Sequence, residues 1–94
     1  MSEWIRVVTF NATSEGIDAL VKEISESEGP PPGIDATRIT IAGDRAAGKL
    51  AVALRFPSQE ALQAGAAILQ GMDPPEGVVR DSVVEMEVLL ERSA

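Results

Sequence analysis

Apolar and polar residues alternate from Glu3 to Asn11, the period of a β-strand. Ile5, Val7 and Thr9 fall on one face and Trp4, Arg6, Val8 and Phe10 on the other. Both faces are largely apolar, which predicts a central strand. The period then changes: Ile17, Leu20, Val21 and Ile24 recur at helical spacing behind Thr13 or Ser14 as N-cap and Glu15 in the first turn. This predicts an amphipathic helix to about Ser27. Gly29 to Gly33, reading GPPPG, ends it, because three successive prolines donate no backbone hydrogen bonds. Between Thr37 and Phe56 two alternating runs flank a Gly-Asp-Arg-Ala-Ala-Gly turn, which predicts a hairpin. Its greasy face carries Ile39, Ile41, Leu50, Val52, Leu54 and Phe56, and the opposite face carries small residues and arginines. A second helix, capped by Ser58, mixes Ala61, Ala64, Gly65, Ala66 and Ala67 with Leu62, Ile68, Leu69 and Met72, and ends at Gly71 or at the Asp73-Pro74-Pro75-Glu76-Gly77 turn. Val78 to Arg92 is predicted as the last strand.

The order strand, helix, strand, strand, helix, strand is the split βαβ arrangement of an α+β, ferredoxin-like domain spanning residues 1–94. Right-handed crossovers put both helices on one face of a four-stranded antiparallel sheet and leave the other face open. A charged Arg6 under the helices is unfavourable, so Trp4, Arg6, Val8 and Phe10 are assigned to the open face. There they join Arg38, Thr40 and Ala42, then Ala51, Ala53 and Arg55, and finally Val83, Glu85, Glu87 and Leu89. An exposed face with this apolar majority marks an interaction site, and the expected partner is a second copy of the chain. Val8, Ala51, Ala53, Val83, Glu85, Glu87 and Leu89 form the expected dimer interface.

Composition narrows the chemistry. The 94 residues carry a net charge of −7, with no cysteine and no histidine. Scattered cations in an acidic chain argue against nucleic acid, whose non-specific binding needs clustered Lys and Arg. Without thiolate or imidazole there is no soft ligand set for zinc, iron or copper, and no Gly-rich strand-to-helix turn to cradle a dinucleotide. No metal and no cofactor are therefore expected. A chain without cysteines, signal-peptide pattern or long apolar run is expected in the cytoplasm and not in a membrane.

The first strand WIRVVTFNA leading into a helix, the apolar open face and the closing strand VVEMEVLLE together resemble the dimeric α/β-barrel superfamily. The antibiotic-biosynthesis-type monooxygenases belong to it. The resemblance implies sheets packed face to face and a cleft between sheet and helices holding a small hydrophobic ligand. It also implies oxidation of quinol-like aromatics without a cofactor, and a polar ligand-facing residue at the position of Asn11. Haem-degrading relatives hold iron with a histidine, which this chain lacks.

Candidate ligand-binding residues are Trp4 and Phe10 for stacking, Asn11 for a polar contact, and Arg6, Arg38 and Arg55 for an anion. The arginines are read first as members of a structural ion-pair network with Glu85 and Glu87, and second as anion ligands. No catalytic constellation can be named. Non-catalytic binding of a small hydrophobic ligand, or a structural role, is expected first. A cofactor-independent oxygenase and a protein-interaction module are the alternatives. A pocket between sheet and helices lined by Trp4, Phe10 or Asn11 favours the oxygenase, and a filled interior favours the non-catalytic protein.

Overall fold

The computed structural model describes residues 2–93, so Met1 and Ala94 of the expected 1–94 domain lie outside the described residues. Its elements are β1 (Trp4–Ala12), α1 (Ser14–Glu26), β2 (Arg38–Asp44), β3 (Lys49–Phe56), α2 (Gln59–Gln70) and β4 (Val78–Glu87). The strands form one antiparallel sheet in the order β2-β3-β1-β4, the ferredoxin-like βαββαβ arrangement with β1 and β3 central. The helices begin where hydroxyls can satisfy free amides. Thr13 accepts from Gly16 N at 3.0 Å and Ser58 from Ala61 N at 3.2 Å. Among the described residues no helix is long and apolar enough to cross a membrane.

The turn before β4 packs tightly on the start of α1. Gly77 has φ +85° and its carbonyl accepts from Thr13 N at 2.9 Å. A Cβ on Gly77 would lie 2.6 Å from the Thr13 hydroxyl, and one on Gly16 would lie 2.6 Å from the Gly77 carbonyl oxygen. Only two facing glycines permit this approach.

The core divides into two clusters. Val8, Phe10, Ala12, Leu50 and Val78 pack with Ile17, and Leu20 of α1 leans on them. Leu54, Phe56, Leu62 and Ile34 make the second, with Trp4 and Leu69 against it. Between them on β1 lies Arg6, 3 % exposed.

This packing corrects the face assignment of β1. Trp4, Arg6, Val8 and Phe10 lie on the helix side, opposite Phe56, Leu54, Val52 and Leu50 of β3. Val83, Glu85 and Glu87 share that side, opposite Val8, Arg6 and Trp4. Ala51, Ala53, Arg55 and Arg38 do lie on the open face, where their strand neighbours are Ile5, Val7 and Thr9. The physical reason is side-chain volume. Register locks the large residues of β1 to the large residues of β3, and burying them outweighs burying one guanidinium whose neighbour is Glu85.

The last strand is also shorter than expected. β1 begins at Trp4, which pairs with Glu87, so β4 has no ladder partner further on. Val88 N donates to Glu3 O at 2.8 Å, and the chain then carries Glu91 to Arg55 and Arg38. Leu89 therefore lies beyond the sheet and is 86 % exposed.

Candidate functional site: a cleft between sheet and helices

A cleft of about 740 Å³ lies between the helix side of the sheet and the two helices. It falls where the core divides. Val8, Phe10, Val52 and Leu54 form its floor, Leu20 and Ile24 of α1 and Leu69 of α2 its walls. The connectors Gly29–Pro31 and Asp73–Pro75 border it too. Prolines there hold the loops stiff without offering amide donors. A mostly apolar concavity of this volume matches the dimensions of small-molecule sites.

Arg6 is the polar group of the floor. Its Nε lies 3.7 Å from a Glu85 carboxylate oxygen, an ion-pair distance too long for a hydrogen bond. Nε and Nη2 are buried without a hydrogen-bond partner. Burial pushes the Arg6 pKa below its ordinary value, Glu85 pulls it up, and Arg80 pushes it down again. The guanidinium remains charged at neutral pH, because arginine starts from so high a value.

Arg80 reaches the cleft through a β-bulge. Thr9 pairs with Ser82 but Phe10 pairs with Arg80, so the register shifts by one residue at Asp81. Without the extra residue, strand alternation would turn Arg80 to the open face. With it, Arg80 borders the cleft and its Nη2 donates to Met72 O at 3.5 Å. Strand periodicity alone misses this residue, since nothing local in VVRDSVVE announces a bulge.

The candidates named from sequence do not converge. Arg6 and Phe10 line the cleft. Trp4 packs at the edge of the second core cluster. Asn11 is exposed, its side-chain oxygen accepting from Lys49 Nζ at 2.5 Å, and the register puts both on the open face. Arg38 borders the cleft, but its guanidinium pairs with Glu91 at 3.6 Å. Arg55 lies on the open face and bridges Glu3 at 2.9 Å and Glu91 at 2.8 Å, which raises its own pKa and lowers that of Glu91. Among the described residues, no group of three or more acidic side chains is placed to hold a metal ion.

The open face has an apolar middle and polar ends. Ile5, Val7, Ala51 and Ala53 are half-buried there, while Val84 and Met86 are exposed. One end carries the Arg55–Glu3–Glu91–Arg38 cluster; the other carries Thr9 with Ser82, 2.5 Å apart, and Asn11 with Lys49.

No protein-family model matches the chain, and no curated protein matches it. A solved structure from Chloroflexus aurantiacus J-10-fl, provisionally assigned as an antibiotic biosynthesis monooxygenase, is similar with a TM-score of 0.65. The identity is 18 % over 98 % of both chains. At that identity the likeness establishes a shared fold across nearly the whole length of both proteins.

Proposed function

We propose that this protein binds a small hydrophobic ligand in the cleft between its sheet and helices, as a cytoplasmic homodimer paired through the open sheet face. The observation that carries the binding role is the 740 Å³ cleft with its apolar floor and walls. Apolar surface kept apart at the centre of a small domain forgoes burial, and a ligand supplies the missing contacts. N-phenyl-1-naphthylamine, a neutral dye that fluoresces in apolar surroundings, tests this directly. Saturable binding at one site per chain is expected, and absence of binding would count against the reading.

A second reading is favoured by the Chloroflexus neighbour and by the cleft itself: cofactor-independent oxygenation of a quinol-type aromatic. Such a substrate must reduce oxygen itself, passing through an anion that a cation such as Arg6 would stabilise. Oxygen uptake with anthrone-like substrates separates the two. Uptake above the buffer rate that is lost in Arg6→Met supports catalysis, and uptake at the buffer rate leaves binding alone. Trp4 and Asn11 have no part in this reading, because neither lines the cleft.

A further inference from the structure

Buried guanidinium groups in folded proteins ordinarily have their donors satisfied, because an unpaired buried polar group costs on the order of 1–3 kcal/mol. Arg6 departs from this twice over, with Nε and Nη2 both unpartnered although the residue is 3 % exposed. It lies on the floor of the cleft. Glu85 stands 3.7 Å from Nε on an edge strand with 38 % of its side chain exposed, a partial counter-charge that makes no hydrogen bond to the guanidinium. Arg80, aimed to the same side by the bulge, adds a second positive charge that opposes the first. Both arginines line the same apolar cleft, and a bound anion offsets the repulsion between their like charges. The remaining charged side chains bordering the cleft, Glu23 and Asp73, are exposed acids that repel an anionic head, while Arg38 is paired with Glu91.

We propose that the ligand of this cleft is an amphiphilic anion: an apolar body against Val8, Phe10, Ile24 and Leu54, and an acidic head, carboxylate or sulfonate in kind, taken by the Arg6 guanidinium as it turns Nε and Nη2 out of their buried seat, with Arg80 on the same side of the sheet. Either head suits the site, since a guanidinium fork gives two parallel hydrogen bonds to two oxygens of one carboxylate or sulfonate. This rests on the ligand-binding reading above and narrows it to a chemical class.

The test compares N-phenyl-1-naphthylamine with 8-anilinonaphthalene-1-sulfonate, which differs by the one sulfonate. The expected result is wild-type binding of both dyes, the anionic one about tenfold tighter or more, the margin of a charge-assisted hydrogen-bond pair. Arg6→Met should erase that margin and leave the neutral dye within about twofold, whereas Glu85→Gln should tighten the anionic dye by removing its competitor. Thermal unfolding checks that Arg6→Met is folded; should it not fold, Arg80→Gln at the exposed rim is used, with several-fold weaker anionic binding expected. Neutral dye bound but the anionic dye no tighter, or both weakened alike in the Arg6 and Arg80 variants, overturns the anion assignment and leaves the cleft as a binding site. Neither dye bound overturns both.

Discussion

Gly65 sits mid-helix in α2 directly over the ring of Phe56, which is wholly buried. A Cβ built there would lie 2.8 Å from Phe56 Cε1 and 3.1 Å from Cζ, with Ile34 Cγ2 at 3.6 Å. Glycine inside a helix costs about 1 kcal/mol relative to alanine, so the close seat of α2 on the ring is what that cost secures. Phe56 cannot swing aside, because Leu54, Leu62 and Ile34 surround it. Gly65→Leu should therefore destabilise the fold by about 2–3 kcal/mol or more, read as a lowered denaturant midpoint. A raised midpoint would mean that α2 is not seated on Phe56 through this residue. Glu91 offers a second test at this scale. Arg55 holds its carboxyl below the ordinary carboxylate range by hydrogen bonds and charge. A depressed folded-state pKa stabilises above the unfolded value of about 4.3 and is lost as pH falls through the folded value. The stability difference between wild type and Glu91→Gln should accordingly be full near pH 6 and shrink below about pH 4. Both groups are solvent-accessible, so the difference should also shrink in high salt. A difference independent of pH would remove the ion pair as its cause.

At the scale of elements, the two helices were legible because each carries its own start and stop. Thr13 and Ser58 cap them; α1 stops where Ser27 turns extended, just before Gly29, and α2 stops at Gly71. The strands were legible as strands, since a period of two is visible in any window. Which face each strand turns inward was legible only where volume is lopsided. On β3, Leu50, Leu54 and Phe56 against Ala51, Ala53 and Arg55 leave no choice. On β1 both faces are apolar and a single arginine tipped the assignment the wrong way. Antiparallel pairing would have corrected it, because Trp4 stands opposite Phe56 and so must share its side. The bulge at Asp81 was not legible at all, since it shows only in the register of β4 against β1. The cleft, too, follows from tertiary fit. Two helices seated on two separate core clusters leave the gap between them, and no periodicity within either helix encodes the gap.

At the scale of the molecule, sheet and helices present two distinct surfaces, a cleft on one side of β1 and an open apolar face on the other. The face combines an apolar middle, Ile5, Val7, Ala51, Ala53, Val84 and Met86, with ion pairs and hydroxyls at its ends, the anatomy of a protein interface. Correcting β1 keeps Ala53 at the centre of that face, opposite Val7 and Thr40. Light scattering should give twice the chain mass for the wild type, and Ala53→Glu should return it to a monomer, because an unpaired charge at the centre of an interface costs several kcal/mol. A wild type that is monomeric at high micromolar concentration would end the dimer proposal while leaving the cleft untouched. The two surfaces can also be read in one experiment. Amide chemical-shift mapping during titration with 8-anilinonaphthalene-1-sulfonate asks where a ligand sits. Shifts concentrated at Arg6, Val8, Phe10, Ile24, Leu54 and Arg80 are predicted; shifts confined to Ile5, Val7, Ala53 and Val84, or none at saturating dye, would contradict a binding site between the sheet and its helices.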